Sequence, residues 1–258
     1  MKRRWPVLVA AGLLVAAVAY AYGFEGGSLQ DRVARHVLAT VLQVAAPLLA
    51  GIGCAAAARA YARGDPERRV WATGAAAALA WTAGRAIFAF DQWWGQRALP
   101  YPSVADGFFV AFYILLAAAL ALEIRLVLPM VDRSIRLALF GLGVAGWAVG
   151  FVYILEPIVV SSTGLMPRLL SAFYPTAAVF LIPAGLVPAI GFRGGLSAYP
   201  WLAVAAAALC LAAASLGYAL LTWYDLYSQV HGINALWVVG FVLLGLGGFW
   251  QKKVQEEV

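Results

Sequence analysis

Arg85 stands inside a long apolar run, and Asp91, Asp106, Glu156 and Asp225 stand at the ends of such runs. Asn234 lies in the connection after Asp225, and the phenols Tyr113, Tyr174 and Tyr218 fall deeper in neighbouring runs. A guanidinium, carboxylates, a carboxamide and phenols can hold a polar ligand by ion pairs and charge-assisted hydrogen bonds. A charge within an apolar span costs about 2.5–3.5 kcal/mol on insertion scales, so Arg85 is expected to face a protein interior and to pair or to bind. Asp106, Glu156 and Asp225 are its candidate partners. Asp91, six residues on, has the wrong spacing for the same helix face.

Helical spacing gives these residues faces. Tyr218, Thr222 and Asp225 follow i, i+4, i+7. Asp106 shares a face with Tyr113, Tyr153 with Glu156, and Arg85 with Gln92. If the faces converge, they line a polar and aromatic cavity. The ligand-binding set is then Arg85, Asp91, Asp106, Tyr113, Glu156, Tyr174, Tyr218, Asp225 and Asn234. A competing account makes Arg85 half of a buried ion pair that fixes packing. For Trp93, Trp94 and Trp223 the competing account is the aromatic belt of a membrane interface.

The elements that position these groups follow from composition. The 258 residues are 64% hydrophobic and 12% charged, against roughly 45–50% and about 25% in soluble domains. Such a chain cannot cover itself with polar surface, and lipid is its expected solvent. Apolar runs at 5–24, 37–60, 70–92, 104–128, 135–155, 168–190, 198–223 and 234–250 match the roughly 20 residues a membrane helix needs. They are long, continuous and rich in Ala and Leu, with no period-two alternation, which favours helices over barrel strands. The expected fold is all-α: one polytopic bundle over residues 1–258, with about eight transmembrane helices.

With the N-terminus inside, 13 of the 18 Lys and Arg residues fall in inner segments and 4 in outer ones. That skew places both termini in the cytoplasm of a cell that carries the protein in its inner membrane. The net charge of +6 thus follows topology, and no nucleic-acid partner is implied. Lys2, Arg3 and Arg4 before the first run also suit a signal peptide, whose removal would leave seven spans. The run is long for that role.

Leu99-Pro100-Tyr101-Pro102-Ser103 leads into Ala111-Phe112-Tyr113, and Leu165-Met166-Pro167-Arg168 into Ala172-Phe173-Tyr174. The triplets are 172 − 111 = 61 residues apart. Repeated helix hairpins are one reading, chance in an Ala- and Phe-rich chain the other. Pro175 and Pro183 would free the carbonyls of Ser171 and Val179, giving a kinked or broken span.

Several chemistries are excluded. The only lysines are Lys2, Lys252 and Lys253, so no span carries a retinal Schiff base. There is no HExxH, GxSxG or P-loop. His36 and His231 could reach one haem but suit solvated edges better, and no cofactor is named by the sequence. Cys54 and Cys210 read as small buried hydrophobes.

Residues 81–128 resemble the membrane sensor region that precedes many bacterial diguanylate cyclases and histidine kinases. The resemblance rests on Asp91-Gln-Trp-Trp-Gly, then Pro100-Tyr101-Pro102-Ser103-Val104-Ala105-Asp106, then Phe108-Phe109 and Phe112-Tyr113. Tyr174-Pro175 and Asp225-Leu-Tyr227 extend it, while Ala178 and Asn234 stand where acids are common. It implies a sensory or ligand-receiving membrane module; the leading expectation is a non-enzymatic sensor or partner subunit whose outer cavity takes a small molecule or lipid and which signals to a separate partner protein. The alternatives are a transporter or lipid-modifying enzyme, favoured by the proline-rich span, and a structural subunit packed through Gly141-x-Gly143 and Gly245-x-Gly247-Gly248.

Overall fold

Two Ser-x-x-Asp segments set where two long helices begin. The Ser28 backbone N–H and Oγ donate to Asp31 Oδ2 at 3.0 and 2.7 Å, and the Asp31 N–H donates back to Ser28 Oγ at 3.2 Å. This capping box satisfies donors that a first helical turn leaves free. It starts α2 (Leu29–Ala60) well before the apolar run that opens at residue 37. Ser103 and Asp106 start α4 (Val104–Val127) by the same device. Pro66 at the first position of α3 (Pro66–Phe90) follows Asp65, whose Oδ2 accepts from the Ala62 N–H at 2.8 Å.

The structure is a computed structural model and describes residues 5–23, 27–95, 101–160 and 164–257. Lys2, Arg3, Arg4, Leu99 and Pro100, named above, and Arg97, one of the four outer basic residues, lie outside the described residues. Beside α2, α3 and α4 stand α1 (Trp5–Tyr22), α5 (Arg133–Gly150), α6 (Glu156–Val160), α7 (Leu165–Gly191), α8 (Ala198–Trp223) and α9 (Asn234–Glu257). A π-helical turn, Asp91–Gly95, extends α3, and another, Phe151–Leu155, joins α5 to α6. No strand occurs among the described residues. α2, α4, α5, α7, α8 and α9 are long and apolar enough to cross a membrane, so the chain is a multi-pass membrane protein by helix length and apolarity. α3 is as long, but Arg85 lowers its apolarity. α7 stays helical through Pro175, Pro183 and Pro188, so the broken span does not form.

Six helices close a ring: α2 packs on α3, α3 on α4, α4 on α7, α7 on α8, α8 on α9, and α9 back on α2. α1 lies outside against α2 and α9, and α5 outside against α7. The ring is drawn tightest where α2 meets α9. A Cβ on Gly53 would collide with the Gly245 carbonyl oxygen, and one on Gly248 would come within 2.6 Å of the Cys54 nitrogen. Only glycine permits that backbone approach. Outward faces keep large apolar side chains exposed, including Leu137, Phe140, Val149 and Val152 along α5 and its extension. That is the surface lipid requires.

Candidate functional site

A cavity of about 520 Å³ lies on the ring axis, toward the end where α4, α7 and α9 begin. Every ring helix contributes to its wall. α2 brings Gln43 and Pro47, α3 brings Trp81, Arg85 and Phe88, and α4 brings Asp106, Phe109 and Tyr113. α7 adds Ser171, Tyr174 and Pro175, α8 adds Ser215, Tyr218, Ala219 and Thr222, and α9 adds Asn234, Trp237 and Phe241. The volume falls in the range of about 300–1,000 Å³ typical of small-molecule sites.

Trp81 is the aromatic hub of the floor. Its ring centroid lies 4.6 Å from Trp237, 4.7 Å from Phe109, 4.8 Å from Phe112 and 5.4 Å from Phe241. These rings come from α3, α4 and α9, so the floor ties three ring helices together. Arg85 sits one turn along α3 from Trp81 and stacks its guanidinium over Phe88 at 5.1 Å. Its Nε is buried with no hydrogen-bond partner, and Arg85 forms no ion pair among the described residues. The expected partners Asp106, Glu156 and Asp225 therefore do not supply its counter-charge.

Asp106 is 9% exposed and engaged by neutral donors. Its Oδ2 accepts from the Ser103 N–H at 2.7 Å and Ser103 Oγ at 3.1 Å, and its Oδ1 accepts from the Tyr174 hydroxyl at 2.8 Å. The carboxylate thus caps α4 and clamps α7 to it. Nearby the Tyr101 and Ser171 hydroxyls lie 2.9 Å apart, a second bond between the α4 entry and α7. Deeper, Ser215 Oγ donates its single proton to the Leu211 carbonyl at 2.8 Å, so Tyr113, 2.6 Å away, is the donor to Ser215.

Asn234 lines the cavity but spends its amide on the loop before α9. Its Nδ2 contacts the Ser228, Gln229 and His231 carbonyls at 3.1, 3.1 and 3.2 Å, and its Oδ1 accepts from the Tyr227 hydroxyl at 3.0 Å. Tyr227 stands edge-on to Tyr218, centroids 4.7 Å apart. Burial pushes the Tyr227 phenol up to about 12, against the opposing pull of the Arg85 guanidinium. Burial likewise raises Tyr101, with the Ser171 hydrogen bond opposing it.

Of the predicted set, the structure gathers Arg85, Asp106, Tyr113, Tyr174, Tyr218 and Asn234 around one cavity and leaves Asp91, Glu156 and Asp225 out of its wall. The reasons are local. α8 ends at Trp223 and Asp225 turns to φ 54°, so the i, i+4, i+7 stripe breaks before its last member, which is exposed. Glu156 follows a π-helical turn and is exposed, like Tyr153. Asp91 begins the π-helical turn after α3, half-buried and off the cavity. Gln92, in that same turn, is likewise off the cavity wall and lies 2.8 Å from His36 Nε2. His231 Nδ1 accepts from the Ile233 N–H at 3.1 Å, so each histidine has its own local partner.

Gln43, Trp81, Trp237, Phe241 and Ser215 were not foreseen as site residues. Two signals point to them: Asn234, Trp237 and Phe241 share i, i+3, i+7 spacing, and Trp81, Arg85 and Phe88 share i, i+4, i+7. Gln43 is a lone amide in an apolar run; it donates to the Tyr22 hydroxyl at 3.1 Å, which donates on to the Ala39 carbonyl at 3.3 Å.

Comparison of the chain with protein-family models, with curated proteins and with solved structures finds no match.

Proposed function

We propose that the chain is a membrane-embedded, ligand-receiving sensory module. Its cavity opens to the outer side, both termini are cytoplasmic, and it reports to a separate partner protein. The observation that carries this reading is a single cavity to which all six ring helices contribute. A molecule bound there touches every helix of the ring, so its arrival biases how the whole ring packs. The Tyr101–Asp106 stretch that resembles membrane sensor regions contributes Tyr101, Ser103 and Asp106 to the cavity wall.

The bundle is also read here as eight spans in two related halves. Gln43 and Ser171 occupy the cavity wall 171 − 43 = 128 residues apart. Pro47 and Pro175, Asp106 and Asn234, Phe109 and Trp237, and Tyr113 and Phe241 keep the same separation. α1 to α4 would match α5, α7, α8 and α9, and neighbours correspond: α2 between α3 and α9 matches α7 between α8 and α4. The 61-residue relation of the Ala-Phe-Tyr triplets pairs α4 with its own neighbour α7 and explains less.

A carrier is the second reading. Glu123 and Gln251, again 128 apart, are 1% and 2% exposed beyond the cavity floor, and each has a buried oxygen without a partner. Matched halves around an axis with polar groups on both sides of an aromatic floor suit alternating access. Native mass spectrometry of the purified protein, with extraction of bound molecules, tests the sensory reading. A defined molecule retained by the protein and lost on Asp106→Asn supports it. An empty protein that mediates solute exchange across proteoliposomes gives the carrier instead.

A further inference from the structure

Arg85 is the one charged side chain of the cavity wall without a charged or hydrogen-bonding partner among the described residues. The other charged group there, Asp106, is engaged by three donors from Ser103 and Tyr174. Arg85 is half-buried with its Nε shut from solvent, and desolvating a guanidinium without an anion or several acceptors is costly. The titratable groups that bear on its charge are phenols, Tyr227, Tyr22 and Tyr218, the first of them committed to Asn234. The cavity thus supplies a cation and leaves its complement to whatever enters.

The rest of the wall gives that molecule a body. Trp81, Phe109, Trp237 and Phe241 present aromatic surface one turn from the guanidinium, and Phe88 holds the guanidinium plane from behind. A ligand that reaches both must carry an anionic group at one end and an apolar or aromatic part at the other. We propose that the ligand is an anionic amphiphile, its carboxylate, sulfonate or phosphate on Arg85 and its apolar part on the Trp81–Trp237 floor. This rests on the ligand-receiving reading above and adds the chemistry of the ligand. Guanidinium forms two parallel hydrogen bonds to such groups, which lysine cannot reproduce but whose charge it keeps. The anion can come from water, as a free organic acid, or from the bilayer, as an anionic lipid.

The test uses the full chain in phosphatidylcholine nanodiscs, with equilibrium dialysis against 2-naphthoate and its neutral counterpart 2-naphthalenemethanol. Mixed phosphatidylglycerol and phosphatidylcholine nanodiscs, read by native mass spectrometry, form the lipid arm. Preference for naphthoate, reduced about tenfold or more by Arg85→Gln and largely kept by Arg85→Lys, supports a free organic anion. No naphthoate binding, but phosphatidylglycerol retained and then lost on Arg85→Gln, supports an anionic lipid. Equal binding of both naphthalenes, unchanged by Arg85→Gln but abolished by the cavity-filling Ala219→Trp, overturns the anion and keeps the cavity as a site. Absence of all binding overturns both. Arg85→Lys, checked for monodispersity, separates loss of charge from loss of fold.

Discussion

Replacing Tyr174 by Phe removes one hydroxyl and is expected to uncouple α7 from α4 at the mouth of the cavity. That hydroxyl donates to Asp106 Oδ1 at 2.8 Å, while the other carboxylate oxygen keeps both Ser103 donors. Hydrogen bonds between neutral groups in membrane bundles average about 0.6 kcal/mol, whereas those to charged groups run about 1.5–3 kcal/mol. The short distance and buried carboxylate place this one nearer the second class, so a coupling of about 1.5 kcal/mol is expected. A double-mutant cycle of Tyr174→Phe and Asp106→Ala, read by reversible unfolding in mixed micelles, isolates that energy from the cost of losing the α4 cap. The single Asp106→Ala change should cost more than Tyr174→Phe, because it also deprives the Ser103 N–H and Oγ of their acceptor. If the two changes add to within about 0.5 kcal/mol, the carboxylate and phenol do not act together and the α4–α7 clamp is refuted.

Three further expectations follow from the packing and electrostatics. Gly248→Ala should destabilise the bundle by about 1–3 kcal/mol, since its Cβ would meet the Gly53 and Cys54 backbone, while Gly12→Ala, with nothing within 4 Å, should not; thermal unfolding of both variants compares them. Tyr227, held up to about 12 against 10.0, should ionise after the exposed phenols in a phenolate absorbance titration. A raised folded value means its contribution is complete below about 10 and fades as pH climbs towards about 12, so Tyr227→Phe should flatten the alkaline loss of stability. Lys252→Ala should leave unfolding unchanged within about 0.5 kcal/mol, because its 3.4 Å pair with Glu256 is solvent-exposed on both sides.

The helical bundle was legible in the sequence because lipid demands long apolar runs, and such runs are a property of composition alone. Their boundaries were less so: the run at 37–60 missed the first turns of α2, which the Ser28–Asp31 box adds and which bury Arg35 to 5% exposure. Arg85 was found because a charge in an apolar span is conspicuous, and Asp106 because a distinctive segment carries it. Asp225 was misplaced because α8 ends at Trp223 and Asp225 itself is left-handed, and Glu156 because α5 and its extension pack outside the ring; Asp91, six residues from Arg85, stays off the cavity face. The aromatic floor escaped notice because Trp and Phe in a membrane chain carry no polarity signal, and only the ring closure of six helices brings Trp81 to Trp237. The proposed 128-residue relation was hidden for a similar reason: most of the residue types at its paired positions differ.

Thiol accessibility at Ala219 tests the central claim, a ligand cavity open on the outer side of a membrane bundle, most directly. Ala219 lines the cavity on α8, and Ala212, two turns away on the same helix, is fully buried. Each is replaced by cysteine in a protein whose Cys54 and Cys210 are alanine, and a membrane-impermeant thiol reagent is added to the outer face of intact cells. The account predicts that Ala219→Cys is labelled from outside and Ala212→Cys is not. Labelling of Ala219→Cys only from the cytoplasmic face, or equal labelling of both positions, would contradict it.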